Sequence, residues 1–171
     1  HYAFRAVELR YRSPLEIVGS FYIMFKSKKV KRYEALYIDI AQRISEMSHA
    51  ERLKVGCLLV NDDNILSFGF NGSPAGFENA CEDSDGATLP HILHAESNCI
   101  SKVAKTPMSS AGATLYCTHS PCMECSKLIA QAGIKKVIYA TKYREDSGIY
   151  LLKSLDIDVE QYYPPKDLKD A

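Results

Sequence analysis

The chain has 171 residues, 46% of them hydrophobic and 25% charged, with 21 Lys and Arg against 21 Asp and Glu. That length fits one domain with a real core, and the composition is that of an ordinary globular protein. Zero formal net charge supplies no global basic field, which argues against a protein that tracks long nucleic acid, and no apolar stretch reaches the roughly 20 residues of a membrane-spanning helix.

In chain order, residues 1–31 differ from the rest. Arg5, Arg10, Arg12, Lys26, Lys28, Lys29 and Lys31 outnumber Glu8 and Glu16. The segment reads as an N-terminal extension or added leader, with Met24 a candidate natural start. Residues 32–48 carry Leu36, Ile40, Ile44 and Met47 at helical spacing, which predicts an amphipathic helix. Residues 54–61 and 65–71 read as strands joined at Asp62–Asp63–Asn64, a hairpin signal. Asn71-Gly-Ser-Pro-Ala-Gly76 is either a plain turn or a loop whose backbone passes close to a ligand, with the Asn71 amide offering both donor and acceptor. A long loop over 77–93 holds Cys81 and His91. A helix is predicted at 94–105, stopped near Pro107, and a third strand at 113–118. Pro121 leads into a helix at 122–132, with Gly133 as its C-terminal cap. Strand four is 136–141, a helix follows at about 146–155, and strand five is 157–162. This order predicts an α/β protein, a five-stranded mixed sheet with helices on both faces. Residues 32–171 are expected to form the functional domain.

The chemistry concentrates in His94-Ala-Glu96 and Pro121-Cys-Met-Glu-Cys125. Two cysteines at i and i+3 just after a proline share one face of a first helical turn. A catalytic zinc takes three ligands of such types and keeps a fourth position for water. His94, Cys122 and Cys125 fill that description, and Glu96 is left beside the metal without a ligand role. A lone C-x-x-C is more often a redox pair or half a structural site, and a lone H-x-E is usually nothing. The two together, each expected at a helix start, are the signature of the zinc nucleobase deaminases. Helix N-termini favour negative charge, which lowers the thiol pKa values. Glu96 would then serve as base and afterwards as acid, passing a proton first to N3 of a cytosine-like ring and then to the leaving amine. The other cysteines show no disulfide framework. Cys57 and Cys117 lie in apolar runs and read as small buried hydrophobes, so a reducing, cytoplasmic setting is expected.

Over residues 32–163 the chain resembles the deoxycytidylate (dCMP) deaminases, especially those of phages. The metal motif, the Asn71–Gly76 loop, the block Ala113–Thr141 and Tyr143 carry the resemblance. It implies a three-layer α/β/α cytidine-deaminase-like fold and hydrolysis of dCMP to dUMP and ammonia. It also implies that Asn71 contacts the deoxyribose or base, that the backbone of Ala95 and Ser120 holds the pyrimidine edge, and that Tyr143 helps bind the nucleotide. Family members are typically homohexamers activated by dCTP and inhibited by dTTP. Gly72 and Arg52 are the candidate contacts for such effectors, with Mg2+ accompanying a triphosphate. No membrane or nucleic-acid partner is expected. Lys102 and Lys105 suit a solvated face or a subunit contact.

His119 departs from the family pattern, which more often has an apolar residue before Ser-Pro-Cys. The position either packs or adds a titrating group beside the pocket. Some phage members hold a second, structural zinc in the long loop. Cys81, His91 and His49 are its candidate ligands here, although a full set of four does not line up. Other readings stay open: deamination of a different cytosine or purine nucleoside, base or nucleic acid, or a non-catalytic zinc-stabilised module, in which Glu96 would have no purpose.

Overall fold

The structure, a computed structural model, describes residues 14–164. The chain divides into two compact units, with the first boundary between Ala35 and Leu36. A long helix, α1 (Pro14–Ser45), crosses that boundary. The helix expected from residue 32 therefore begins much earlier, and residues 14–31 of the expected leader are helical. Pro14 stands at the first helical position, where its missing N–H is no loss, and no second proline follows before Ser45. The rest of the expected leader lies outside the described residues.

The larger unit, Leu36–Pro164, holds the sheet. Its strands are β1 (Gly56–Asn61), β2 (Asn64–Phe70), β3 (Thr114–His119), β4 (Lys136–Thr141) and β5 (Asp158–Gln161). The helices between them are α2 (Ala95–Val103), α3 (Met123–Gln131) and α4 (Ser147–Ser154). Strand order is β2-β1-β3-β4-β5. The pairs β1–β2 and β1–β3 are antiparallel, and β3–β4 and β4–β5 are parallel. The hairpin closes on Asp62 and Asp63, both at positive φ, as a two-residue turn of the primed class requires. Parallel pairing forces the crossovers β3-α3-β4 and β4-α4-β5, and these put α3 and α4 on the same face of the sheet.

That face is one apolar core. Cys57, Leu59, Leu115, Cys117, Val137 and Tyr139 from the strands meet Cys99, Ile100, Ile129, Ile149 and Leu152 from the three shorter helices. Successive strand residues point to opposite faces, so Leu58, Tyr116 and Ile138, all buried, point the other way. There Tyr37 of α1 lies 5.0 Å from the Tyr116 ring. The apolar stripe expected on this helix is rotated. Leu36 and Met47 are exposed, Ile44 is buried as expected, and Ala35, Tyr37, Ile38, Ala41 and Ser45 are buried with it. Backbone contact is the reason: a Cβ on Gly56 would stand 2.1 Å from the Ala41 carbonyl oxygen, so the smallest side chains, not the largest, mark the crossing. Cys57 and Cys117 face each other across β1 and β3 with their sulfurs 3.0 Å apart and fully buried. Burial pushes both thiols up, as for small core hydrophobes. Among the described residues no helix is long and apolar enough to cross a membrane.

Candidate metal centre and cleft

The site forms where α2 and α3 begin. His94 is the N-cap of α2 and Cys122 the N-cap of α3, both with extended backbone and neither capping its helix through its side chain. The metal motif thus starts one residue ahead of each helix, not inside the first turn. That placement lets His94 and Glu96 serve one site, because the cap residue turns its side chain off the helix end while Glu96 stays on the first turn. Both helix ends are held close by glycine. A Cβ on Gly69 of β2 would lie 2.3 Å from the Ala95 carbonyl oxygen, and one on Gly148 of α4 would lie 2.3 Å from the Pro121 carbonyl oxygen. Hydrogen bonds fix α2 on β2: Ser67 Oγ donates to the Cys99 carbonyl at 2.8 Å, and Asn98 Nδ2 to the Phe70 carbonyl at 2.8 Å. Lys102 Nζ donates to the Phe68 carbonyl at 3.0 Å and lies over the Phe68 ring, so this lysine seals the edge strand.

His94 Nδ1 lies 3.5 Å from Cys122 Sγ and 3.3 Å from Cys125 Sγ. Zinc–sulfur bonds of about 2.3 Å and zinc–nitrogen bonds of about 2.0 Å in a tetrahedron set S···N edges near ~3.5 Å. The spacing and the donor types therefore fit a zinc ion. Among the described residues this is the cluster of His, Cys, Asp and Glu whose ligand atoms all lie within 4.8 Å of one another. The Cys122 thiol is pulled down to about 3, first by its hydrogen bond with Cys125 and then by that with His94, and Cys125 is pushed up by the same pairing. His94 is raised, chiefly by its bond to Cys122. Glu96 is 4% exposed, and burial raises its carboxyl above the ordinary range, which suits a group that must hold a proton and release it.

A cleft of about 390 Å3 opens over this cluster. His94, Ala95, Glu96, Asn71, His119, Ser120, Cys122 and Tyr143 all line it. Ala95 is the first residue of α2, where backbone N–H groups have no intrahelical acceptor. The Ser120 N–H is taken by the Thr141 carbonyl at 2.9 Å, so Ser120 has its carbonyl to offer. Its hydroxyl oxygen accepts the Tyr143 N–H at 2.8 Å and so sets the turn that carries Tyr143. The Asn71 amide works inside the fold: Oδ1 accepts the Val55 N–H at 2.8 Å, and Nδ2 donates to the Leu53 carbonyl at 2.9 Å.

The remaining candidates divide. Gly72 exchanges both backbone hydrogen bonds with Leu93, at 3.1 and 3.0 Å. It braces the chain just before His94 and has no backbone donor left for an effector phosphate. Arg52 lines the cleft, with Nη1 donating to the Gly86 carbonyl at 3.2 Å. The second-zinc trio is not assembled, since His49, Cys81 and His91 join no cluster of three among the described residues. Local packing explains why: the His91 ring stacks on Phe77 with centroids 5.0 Å apart, and the Cys81 thiol turns to the Asn79 carbonyl. Lys142 and Arg144 also line the cleft and were not singled out from the sequence. The signal was present as the run Lys142-Tyr-Arg144, two cations around an aromatic just past the carboxyl end of β4.

Residues 31–141 match the profile of the cytidine and deoxycytidylate deaminase zinc-binding region. The chain is 32% identical over 147 residues to the deoxycytidylate deaminase of Schizosaccharomyces pombe, covering 79% of this chain and 45% of that protein. It therefore spans about half the length of that relative. It is 33% identical to the deoxycytidylate deaminase of Enterobacteria phage T4, covering 71% of this chain and 86% of that one. Among solved structures, the dCMP deaminase of cyanophage S-TIM5 in complex with dCMP and dUMP superposes with a TM-score of 0.75 at 46% identity. The match covers 77% of this chain and 97% of that one.

Proposed function

The chain belongs to the cytidine and deoxycytidylate deaminase zinc-binding family, and from that membership we propose that it hydrolyses dCMP to dUMP and ammonia. One observation carries the reading. A buried carboxyl, Glu96, lies beside a His-Cys-Cys cluster in a cleft that is also lined by three cations, Arg52, Lys142 and Arg144. A pyrimidine with a 5′-phosphate has the matching halves, a polar ring for the cluster and two negative charges for the cations.

His94, Cys122 and Cys125 would hold the zinc. When bound, zinc supplies an activated water nucleophile and Lewis acidity. The chain's own residues do the rest. The Ala95 N–H faces the base carbonyl oxygen and the Ser120 carbonyl faces the exocyclic amine, a donor–acceptor pair that matches one edge of cytosine. Glu96 accepts the proton released by water and delivers it to N3. Once the water oxygen has bonded to C4, Glu96 moves the remaining proton of that hydroxyl to the amine, the C4–N bond breaks, and ammonia leaves with the C4 carbonyl formed. Tyr143 closes on the sugar and phosphate side.

Ammonia release by the zinc-loaded protein on dCMP, with deoxycytidine alongside, tests this. Preference for dCMP supports the reading, and preference for deoxycytidine removes the phosphate role of the cations. No release on either substrate refutes it. The same assay with dCTP or dTTP, together with the mass of the assembly in solution, tests the effector control and the homohexamer that the family resemblance implies.

A further inference from the structure

His119 ends β3, and its half-buried imidazole lines the cleft. Its Nδ1 lies 3.1 Å from Thr118 Oγ1. Thr118 is 2% exposed, and its oxygen already accepts the Gly56 N–H at 3.1 Å. The hydroxyl proton still needs an acceptor, because a buried O–H left without one is costly. The acceptor that the described residues place beside it is His119 Nδ1. The Thr118 hydroxyl therefore donates to Nδ1, and in the neutral ring the proton sits on Nε2. Burial, which disfavours the imidazolium, acts in the same direction.

The backbone adds a second point. Thr118 is bonded to Gly56, and Asn71 to the neighbouring Val55. Asn71, which lines the cleft, and Thr118, which holds the cleft residue His119, are thus fixed through adjacent positions of one segment. Unlike Arg52, Lys142 and Arg144, His119 offers a neutral donor, and among the described residues Nε2 has no hydrogen-bond acceptor.

We propose that the His119 Nε2–H is a substrate-binding hydrogen-bond donor to an oxygen of the nucleoside part of the substrate. This rests on the deaminase reading above. A neutral donor matches a sugar or carbonyl oxygen, and the cations are left for the phosphate. The Thr118 hydroxyl preorganises the donor by holding the tautomer and the ring plane.

The test uses His119→Leu and His119→Gln in the zinc-loaded full chain, with zinc content and melting temperature checked for each. Leucine keeps bulk and removes the donor, and the glutamine amide N–H reaches near the place of Nε2–H. Loss of one neutral hydrogen bond is expected to lower kcat/KM on dCMP by about five- to tenfold in His119→Leu, with most of the loss recovered in His119→Gln. The loss should be equal on deoxycytidine. Long-range 1H–15N spectra of the wild-type protein should show the Nε2–H tautomer, with that resonance moving when dUMP is added. Any of four results overturns the proposal: full activity in His119→Leu, equal damage in His119→Gln, a penalty confined to dCMP, or an Nδ1–H tautomer. If the wild-type protein deaminates neither substrate, the deaminase reading fails by itself, and the titration with dUMP still decides whether Nε2–H meets a nucleotide.

Discussion

His94 and Cys122 hold equivalent positions on two different helices. Each is the N-cap, each has an extended backbone, and their side chains meet 3.5 Å apart. Both give up the usual capping hydrogen bond, so each helix start lacks a contact commonly worth about 1 kcal/mol. A metal held between them restores a link across the two ends. Chelation of zinc should therefore lower the melting temperature as well as stop turnover. For a ligand near 100-fold above its Kd the stabilisation is about 2.7 kcal/mol, or about 5–10 °C in a chain of this size. Cys125→Ser should reproduce the loss, and adding zinc should not rescue it. Calorimetry with and without chelator would check this; equal melting temperatures would rule out a stabilising metal.

Glu96→Gln separates chemistry from structure. The carboxyl is buried, and burial is the first cause of its raised pKa, so a neutral amide of the same shape fits the fold. Turnover should fall by about 10^2- to 10^4-fold, the range for a lost general acid–base. Zinc content and melting temperature should stay near wild type. Metal analysis beside the ammonia assay reads both. A variant that loses zinc together with activity would show instead that Glu96 supports the metal site.

Much of this was legible in the chain, for definite reasons. The strands were found within a few residues because alternation and turn residues coincide, as at Asp62–Asp63 and at Gly133, whose φ of 73° lets it terminate α3. The metal cluster was legible because His94, Cys122 and Cys125 are chemically specific and closely spaced in two short motifs. Long-range geometry was not. The crossing at Ala41 and Gly56 depends on small residues, and a search for large apolar ones at helical spacing points to Leu36 and Met47 instead. The second-zinc trio failed because ligand types alone do not fix which way loop side chains face. Lys142 and Arg144 were not singled out, because only the topology brings the end of β4 beside the cluster.

Gly69→Ala should damage both stability and activity. The new Cβ would lie 2.3 Å from the Ala95 carbonyl oxygen and 2.5 Å from the Cys99 nitrogen. These are backbone atoms of α2 and cannot swing aside. Overpacking of this kind costs about 1–3 kcal/mol, and any relief moves His94 and Glu96 together. Urea unfolding should show a lower midpoint with an unchanged slope, and zinc affinity should fall. A lower midpoint with intact zinc affinity would mean that α2 shifts without disturbing its first turn.

Lys136 gives a pH dependence of known sign. Burial, the largest single cause, pushes its pKa down, but Glu160 at 2.8 Å and Asp158 at 3.4 Å together raise it above the ordinary lysine value. A raised lysine pKa means that the folded state holds its proton more tightly than the unfolded chain does. The contribution is fully present below about pH 10.4 and is lost as pH rises through the folded value. The acidic partners are half exposed, so it should stay below about 1 kcal/mol. The stability difference between wild type and Lys136→Met should be flat from pH 7 to 9 and shrink above the lysine range. A difference that grows with pH would contradict the pairing.

Lys142 and Arg144 should govern the choice between nucleotide and nucleoside. Both line the cleft around Tyr143, and Arg144 lies 5.5 Å from the Tyr143 ring centre. Lys142 is also paired with Asp146 at 2.8 Å, so reaching a phosphate means exchanging one anion for another. Arg144 has no carboxylate partner among the described residues and should carry the larger share. Arg144→Ala is expected to raise KM for dCMP by about tenfold, with a smaller effect for Lys142→Ala. Neither change should alter KM for deoxycytidine, which has no phosphate to lose. The wild-type preference for dCMP should also weaken as salt is raised, because both cations are solvent-accessible and screened. Steady-state kinetics on the two substrates at low and high salt decide it. Equal losses on both would move these residues from phosphate binding to support of Tyr143.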